Sequence, residues 1–499
     1  MTIETFGQPR ASKATIRGVA TRLRSEFTNR DLPARPQTSD PRDSNSADSA
    51  VESDGFSRAR SEPELARRLL SASLWSFAIY VGGAGLTFLA QLVIARKIGA
   101  PNYGIYSYVM AWTTLFSYMA ALGFNIALLR FLAAYCATGQ WSLARGIMRF
   151  AFRRSLLVAT IIAIGGGAAE LLLAHDFPEE MAIGLATVPL AVLYVLGSAA
   201  VRALGGVISA IAPERLVRDG LVMVLVLLAG TLSSPVNATT VLIALMISSA
   251  VTAGIVGLSL RRLWPAQLRT AVPKYAPGEW WHLALPVMLM IGVEVLMSRA
   301  GLILLGWIGD TRGAGIFALG LNFALLLALP RMAVGTFFSP TVSKLHANQD
   351  HVALHNLFGR ATLLSLAGTI ALAIPLLVMM EPMLHLFGQD FAATAPIAAI
   401  LIFGQVLAAA TGPQLNLLTM TGHEWAAAGM LVVGAVVNIA ACTAGILLFG
   451  AVGAAVATAA TNVAWNLAMG FYLYKRINIR PGLLYAMVQL LPAWRNRIV

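Results

Sequence analysis

The feature that most limits this chain begins at residue 69. From there it is a series of apolar runs, most of them longer than the roughly 18 to 20 residues needed to cross a hydrocarbon core of about 30 Å. The runs cover residues 69–95, 104–125, 155–174, 182–201, 221–232 with its flanks, and 239–260. A second set covers 283–307, 313–335, 361–380, 392–412, 426–450 and 451–474. In lipid, backbone N–H and C=O groups have no water to bond, so spanning segments of this length fold as helices that satisfy themselves. The expected class is an all-α membrane protein of about twelve transmembrane helices. Only 12% of the residues are charged and the mean hydropathy is +0.72, too little polar material to cover a water-facing surface.

Charge order gives an independent reading of topology, because Lys and Arg are retained on the cytoplasmic side. Arg67 and Arg68 precede the first run. Arg145, Arg149, Arg153 and Arg154 follow the second, and Arg202, Arg215 and Arg218 follow the fourth. Arg261, Arg262, Arg269 and Lys274 fill the central connection, Lys344 and Arg360 follow the eighth run, and Lys475, Arg476, Arg480, Arg495 and Arg497 follow the last. The alternate connections at 175–180, 233–240, 309–313 and 381–391 are acidic or neutral in the main; Arg96 and Lys97 depart from the alternation and can snorkel. Both termini are therefore expected in the cytoplasm. The net charge of +13, which in a soluble chain would suggest nucleic acid, is read as topology-setting charge.

The expected organisation is a disordered cytoplasmic N-terminal tail (1–66), an N-terminal six-helix lobe (67–260), a cytoplasmic connection (261–281), a C-terminal six-helix lobe (282–480) and a cytoplasmic C-terminal tail (481–499). Residues 32–61 are rich in Pro, Ser and Asp without apolar periodicity. Upstream, Ile16, Val19 and Leu23 interleave with Arg17, Arg22 and Arg24, which fits either a basic helix on an anionic membrane surface or a disordered basic tail. No short apolar core precedes Leu69, so no cleavable signal peptide is expected. Cys136 and Cys442 sit in no metal-ligand or disulfide pattern.

The two sets of six runs share a pattern. Ile98, Gly99, Gly104, Ile105 and Tyr106 recur, with one inserted residue, as Ile308, Gly309, Gly315, Ile316 and Phe317; Gly123 and the basic stretch beyond it correspond to Gly335 and Ser343–Ala347. Two copies that each cross an even number of times share an orientation and are related by an axis along the membrane normal. Together with Leu122–Phe131 and Met420–Glu424, these motifs resemble the polysaccharide-export branch of the multidrug/oligosaccharidyl-lipid/polysaccharide exporter superfamily over residues 69–481. The resemblance implies flipping of a polyprenyl-diphosphate-linked oligosaccharide from the cytoplasmic to the periplasmic leaflet of a bacterial inner membrane, by alternating access of two lobes, for surface or exopolysaccharide assembly. It implies as partners the lipid-linked substrate, membrane lipids, and a polysaccharide polymerase and export machinery. No nucleic acid and no cofactor are implied. The first run lacks the acidic residue typical of the drug-exporting branch, which departs from that pattern.

Ionisable groups inside a span cost roughly 2.5 to 3.5 kcal/mol each on insertion scales, so each calls for a reason. Glu294 falls about 17 Å into the seventh run, near the midplane, with Arg299 beyond it. Five residues apart, they are offset by about 140° and are poor partners for one another. Arg299 is the candidate for a diphosphate or sugar acid, and Glu294 for sugar hydroxyls or a coupling proton or cation; a structural pairing with other helices is the plainer alternative. Arg130 and Arg331 are placed at the cytoplasmic boundary as a basic mouth, with snorkelling as the simpler account, and Arg202 is read likewise. Asn125 and Asn322 join the candidate substrate contacts, and Gln91, Gln405, Asn416, Asn438, Asn462 and Asn466 are read mainly as interhelical hydrogen-bonding groups. Gly165, Gly166 and Gly167 lie inside an apolar span and read as packing surface. No nucleophile elbow or nucleotide loop is present, and the isolated His346, His351 and His355 make a weak metal pattern, so no enzyme activity and no metal site are expected. The competing readings are a proton- or cation-coupled drug antiporter, which needs acidic groups on the cleft, and a membrane glycosyltransferase, which needs larger polar loops.

Overall fold

The computed structural model describes residues 44–173, 177–232 and 235–477, with side chains from about residue 79 onward. The basic pattern at Ile16 to Arg24 and the C-terminal tail lie outside them. Secondary structure among the described residues is helical throughout. In chain order the helices are α1 (Ser44–Ala120), α2 (Phe124–Ala137), α3 (Trp141–Leu173), α4 (Pro178–Ala203), α5 (Val207–Ala212), a π-helical turn (Pro213–Arg218), α6 (Asp219–Leu232), α7 (Ala238–Leu263), and α8 (Ala266–Thr270). There follow α9 (Pro277–Trp307), α10 (Thr311–Leu326), α11 (Leu329–Ala347), α12 (His351–Val378), α13 (Met380–Phe387), a 3-10 turn (Gln389–Phe391), α14 (Thr394–Thr411), α15 (Gln414–Met420) and α16 (Glu424–Ile477).

The chain divides into a unit up to Leu70 and a second from Ser71, and the helical fold described here belongs to the second. The stretch expected to be disordered is helical from Ser44, where Ala, Glu, Arg and Leu residues favour helix despite Gly55 and Pro63.

Seven helical segments are long and apolar enough to cross a membrane, and the α10–α11 pair, bent by 43°, adds an eighth. Two of the seven, Val81–Ala137 (57 residues) and Glu424–Arg476 (53 residues), are each about twice the length of one crossing. Each contains a glycine break. Gly99 adopts φ 73° and ψ 170° between the first two apolar runs, and Gly450 adopts φ 58° and ψ −139° between the last two. Both are conformations that a side chain penalises. The chain is a multi-pass membrane protein, with the apolar runs of the sequence lying in its helices.

Three cores organise the packing. One is shared by both halves of the chain: Ile94, Tyr103, Val226 and Leu242 pack with Leu302, Phe317, Phe323 and Phe391. A second is made mainly by the N-terminal half (Phe124, Ile147, Val192, Leu260), joined by Trp280 and Ala284. A third belongs to the C-terminal half (Phe338, Phe358, Leu417, Leu431, Met469). The halves thus meet at the end carrying Gly99 and Gly309 and keep separate interiors at the end carrying Arg145 and Lys344.

The join at the shared end is glycine on glycine. A Cβ added to Gly104 would fall on the carbonyl oxygen of Thr311, and one added to Gly315 on the carbonyl oxygen of Ala100. The two glycines aligned by the sequence repeat are therefore each pressed against the other copy's helix. Placing alanine at either forces two backbones apart, an overpacking that costs about 1–3 kcal/mol. Gly104→Ala and Gly315→Ala are expected to lower the thermal unfolding midpoint in detergent. Gly165→Ala, where nothing lies within 4 Å of the added carbon, is expected to leave it in place.

Candidate functional site

Helix α9 runs along the boundary between the halves for its whole length. Trp280 Nε1 donates to Tyr135 Oη at 3.1 Å, a Cβ on Gly123 would meet the Ala284 carbonyl, Gly292 faces Met119, and Gly306 faces the Tyr108 ring. On its other side, Met297 joins the C-terminal core and Gly301 packs on Phe317. Helix α9 therefore carries its two mid-helix charges, Glu294 and Arg299, on the element that runs between the halves.

Glu294 and Arg299 take different surroundings, as their angular offset requires. Glu294 is exposed although it lies 17 residues after Pro277 and 13 before Trp307. It stands within electrostatic reach of Arg331. The helix that carries Arg331 continues past Gly335 to Ala347, further than the apolar run, and Arg331 Nη2 donates to Gln405 Oε1 at 3.1 Å. The polar stretch Ser339–Ala347 hid that extension from a hydropathy reading.

The groups within electrostatic reach of Arg299 are three tyrosines of α1, Tyr103, Tyr106 and Tyr118. No carboxylate lies within ion-pair distance of it among the described residues. Asn322 joins this group from the C-terminal half: its Nδ2 donates to Tyr103 Oη at 2.9 Å, and Tyr103 in turn donates to Gln91 Oε1 at 2.8 Å. Arg130 is exposed on α2 and Asn125 is buried near its start, so the structure does not gather these two candidates with the α9 charges.

A second buried polar group was not legible as interior. The sequence puts Arg215 and Arg218 in a connection, yet only residues 204–206 separate α4 from α5, and the helix then runs on through the π turn into α6. Asp219 lies 12 residues after Val207 and 13 before Leu232, at the middle of that stretch. Arg218 Nε donates to Asp219 Oδ1 at 2.9 Å and Nη1 donates to Tyr194 Oη at 3.0 Å, while Thr87 Oγ1 donates to Asp219 Oδ2. The Arg218 carbonyl, loosened by the π turn, accepts from Ser248 Oγ at 2.6 Å. Glu214 is also within reach of Arg218. The mixed signs at 214–219 were the available signal: opposite charges that neutralise one another can lie within a span, whereas a run of one sign cannot.

The other amides divide between contacts across helices and contacts within one turn. Asn438 Nδ2 donates to Thr461 Oγ1 across the Gly450 break and Asn466 Oδ1 accepts from Thr411 Oγ1 of α14, whereas Asn466 Nδ2 to the Asn462 carbonyl and Trp465 Nε1 to Asn462 Oδ1 stay within α16. Among the described residues, no group of three or more His, Cys, Asp or Glu side chains is placed to hold a metal ion.

Removing one member of the Arg218–Asp219 pair strands the other inside the bundle, which costs about 3–5 kcal/mol, while replacing both with apolar residues restores much of that loss. Asp219→Leu and Arg218→Met are each expected to lower the unfolding midpoint of purified protein, and the double variant to lie above either single one. A double variant less stable than both singles would contradict this account.

No family model matches the chain, and no curated protein matches it. Solved structures do. The chain is similar to the lipid II flippase MurJ in an inward closed conformation, with a TM-score of 0.65 at 14% identity, covering 84% of this chain and 91% of that one. It is similar to an inward-facing multidrug resistance MATE family transporter of the MOP superfamily, with a TM-score of 0.64 at 14% identity, covering 83% and 96%. A MOP superfamily transporter from Pyrococcus furiosus follows with a TM-score of 0.59 at 14% identity, covering 81% and 94%. These structural neighbours are transporters, and the chain has the MATE- and MurJ-like fold of MOP superfamily transporters.

Proposed function

We propose that this protein flips a polyprenyl-diphosphate-linked oligosaccharide from the cytoplasmic to the periplasmic leaflet of a bacterial inner membrane, by alternating access of its two halves. The observation that carries the reading is Arg299. At the mid-helix positions, Asp219 and Glu214 face Arg218, and Glu294 faces Arg331, whereas Arg299 has tyrosines and no carboxylate. An arginine left over in a low-dielectric interior favours an anion and opposes a cation, and its planar donor set suits phosphate oxygens. Tyrosine hydroxyls and Asn322 around it offer both donors and acceptors to a polar headgroup. The likeness to a lipid II flippase supports a lipid-linked substrate. Outward movement of an anionic headgroup is favoured by an inside-negative potential, by about 2.3 kcal/mol per charge per 100 mV. The cytoplasmic sidedness of the Arg145 and Lys344 end rests on the charge order of the connections.

A proton- or cation-coupled antiporter of small molecules is the second reading. The exposure of Glu294 in the middle of α9 favours it, since a wet carboxylate can take a proton or cation.

In proteoliposomes, transfer of a labelled polyprenyl-diphosphate oligosaccharide between leaflets is expected to depend on the protein. It should fall about tenfold or more in Arg299→Ala, the loss of one or two charge-assisted hydrogen bonds, and less in Arg299→Lys. Glu294→Gln is expected to leave transfer largely intact. Loss of ion-dependent transport in Glu294→Gln, with no glycolipid transfer by the parent protein, would favour the antiporter.

A further inference from the structure

Helix α13 and the 3-10 turn after it (Met380–Phe391) connect two helices of the C-terminal half, yet two of their aromatic side chains reach the other half. Phe387 is 5.6 Å from Phe88 of α1 in edge-on contact, and Phe391 is 5.7 Å from Tyr103, also edge-on. Phe323 of α10 closes the group, 5.5 Å from Phe88 and 5.9 Å from Phe387. Phe323, Phe387, Phe391 and Tyr103 are each no more than 1% exposed. Around this plug lies a polar rim: Arg96 Nη1 donates to the Leu386 carbonyl at 3.2 Å, Asp390 Oδ2 lies 3.6 Å from where a Cβ of Gly99 would be, and Arg312 is 4.0 Å from Asp390. Gly388, at φ 122°, turns the chain so that Phe387 and Phe391 both point inward.

We infer that Met380–Phe391 is a strap that closes the interior from the Gly99–Gly309 end, and that it must leave Phe88 and Tyr103 before the site at Arg299 opens to that side. The geometry behind this is direct. Tyr103 carries the strap's Phe391 on its ring and the Asn322 and Gln91 hydrogen bonds on its hydroxyl, and it stands beside Arg299. One residue therefore joins the closure to the polar site. The contacts are adapted to parting: two aromatic edges and one arginine–carbonyl bond join the strap to α1, and the Arg312–Asp390 contact at the rim is long and more than half exposed, an interaction worth little in water. The Gly104–Gly315 backbone contact just inside is the closer-packed element about which the halves turn.

The strap can be tested without knowing the substrate. Ser107 lies one helical turn inside Tyr103 on the same face of α1 and is buried, so Ser107→Cys reports whether the closure holds. With Cys136 and Cys442 replaced by alanine, a membrane-impermeant maleimide added to each face of proteoliposomes in turn should label this cysteine slowly from the strap face. Adding Phe391→Ala or Phe387→Ala should raise that rate about tenfold or more, as expected for loss of a buried ring. An unchanged rate in folded strap variants would overturn the proposal. A second arm covers variants that fail to fold. Arg96→Cys with Leu386→Cys, joined by a short bifunctional methanethiosulfonate, should stop glycolipid transfer until a reductant is added, and undiminished transfer by the linked protein would overturn the strap. This second arm rests on the flippase reading, whose own failure is recognised by absence of transfer before linking, while the labelling arm still decides the strap.

Discussion

The backbone contact of Gly104 with Thr311 and of Gly315 with Ala100 sets where the two halves can meet. Lipid offers no hydrophobic drive for helices to associate, so close approach of backbones, with its dispersion and weak hydrogen bonds, is what holds membrane helices together. Here that approach is reciprocal between two repeats at one end, while Gly123 against the Ala284 carbonyl and Gly146 against the Lys274 carbonyl make separate close contacts elsewhere. Everything at that end follows: the shared core of Ile94, Leu302 and Phe323, the α1 tyrosines brought beside α9, and the aromatic plug above them. At the opposite end the halves keep separate cores, and α9 is the element common to both regimes, packed on α2 and α3 through Trp280 and Ala284 and on the C-terminal core through Met297.

Charge is distributed by the same logic of cost. An ion inside a span is tolerated where it is paired or wet. Arg218 and Asp219 are paired, hydrogen-bonded on both sides, and mostly covered. Glu294 is exposed and within electrostatic reach of Arg331, which is half-buried with Gln405 as its hydrogen-bond partner. Arg299 satisfies neither condition within the protein, since tyrosines are neutral dipoles and only partly offset a guanidinium. That imbalance is local, on one helix, at the boundary between halves, which is where a transported headgroup passes in a two-lobed carrier.

Much of this was readable in the amino-acid sequence. The apolar runs lie in the helices, the breaks at Gly99 and Gly450 fall between runs, and the glycines aligned by the repeat are the ones in contact. Glu294 and Arg299 look to different partners, as five residues of helix demand. The reading failed where polar residues sit inside helices. Arg145, Arg149 and Arg153 belong to α3, α11 runs on past Gly335 to Ala347, and Glu214 to Asp219 lie inside a helical stretch from Val207 to Leu232 whose apolar run starts only at Leu221. Hydropathy sums side chains one by one and cannot see that Arg218 and Asp219 cancel, or that Pro213 is absorbed by a π turn whose loosened carbonyl finds Ser248. The tyrosines around Arg299 were equally hidden, because nothing local marks Tyr103, Tyr106 and Tyr118 as facing a helix two hundred residues away.

The two sets of opposite charges within the helices differ in a way that bears on movement. Arg218 and Asp219 are neighbours in the chain on one helix, so no motion of helices changes their separation, and the pair acts as a fixed dipole within the N-terminal half. Glu294 stands on α9 and Arg331 on α11, just beyond the 43° bend that breaks the α10–α11 pair. Their separation depends on how α11 lies against α9, and Arg331 has a second partner in Gln405, on α14, so a shift of α11 along α9 can trade one contact for the other where the Arg218–Asp219 pair cannot.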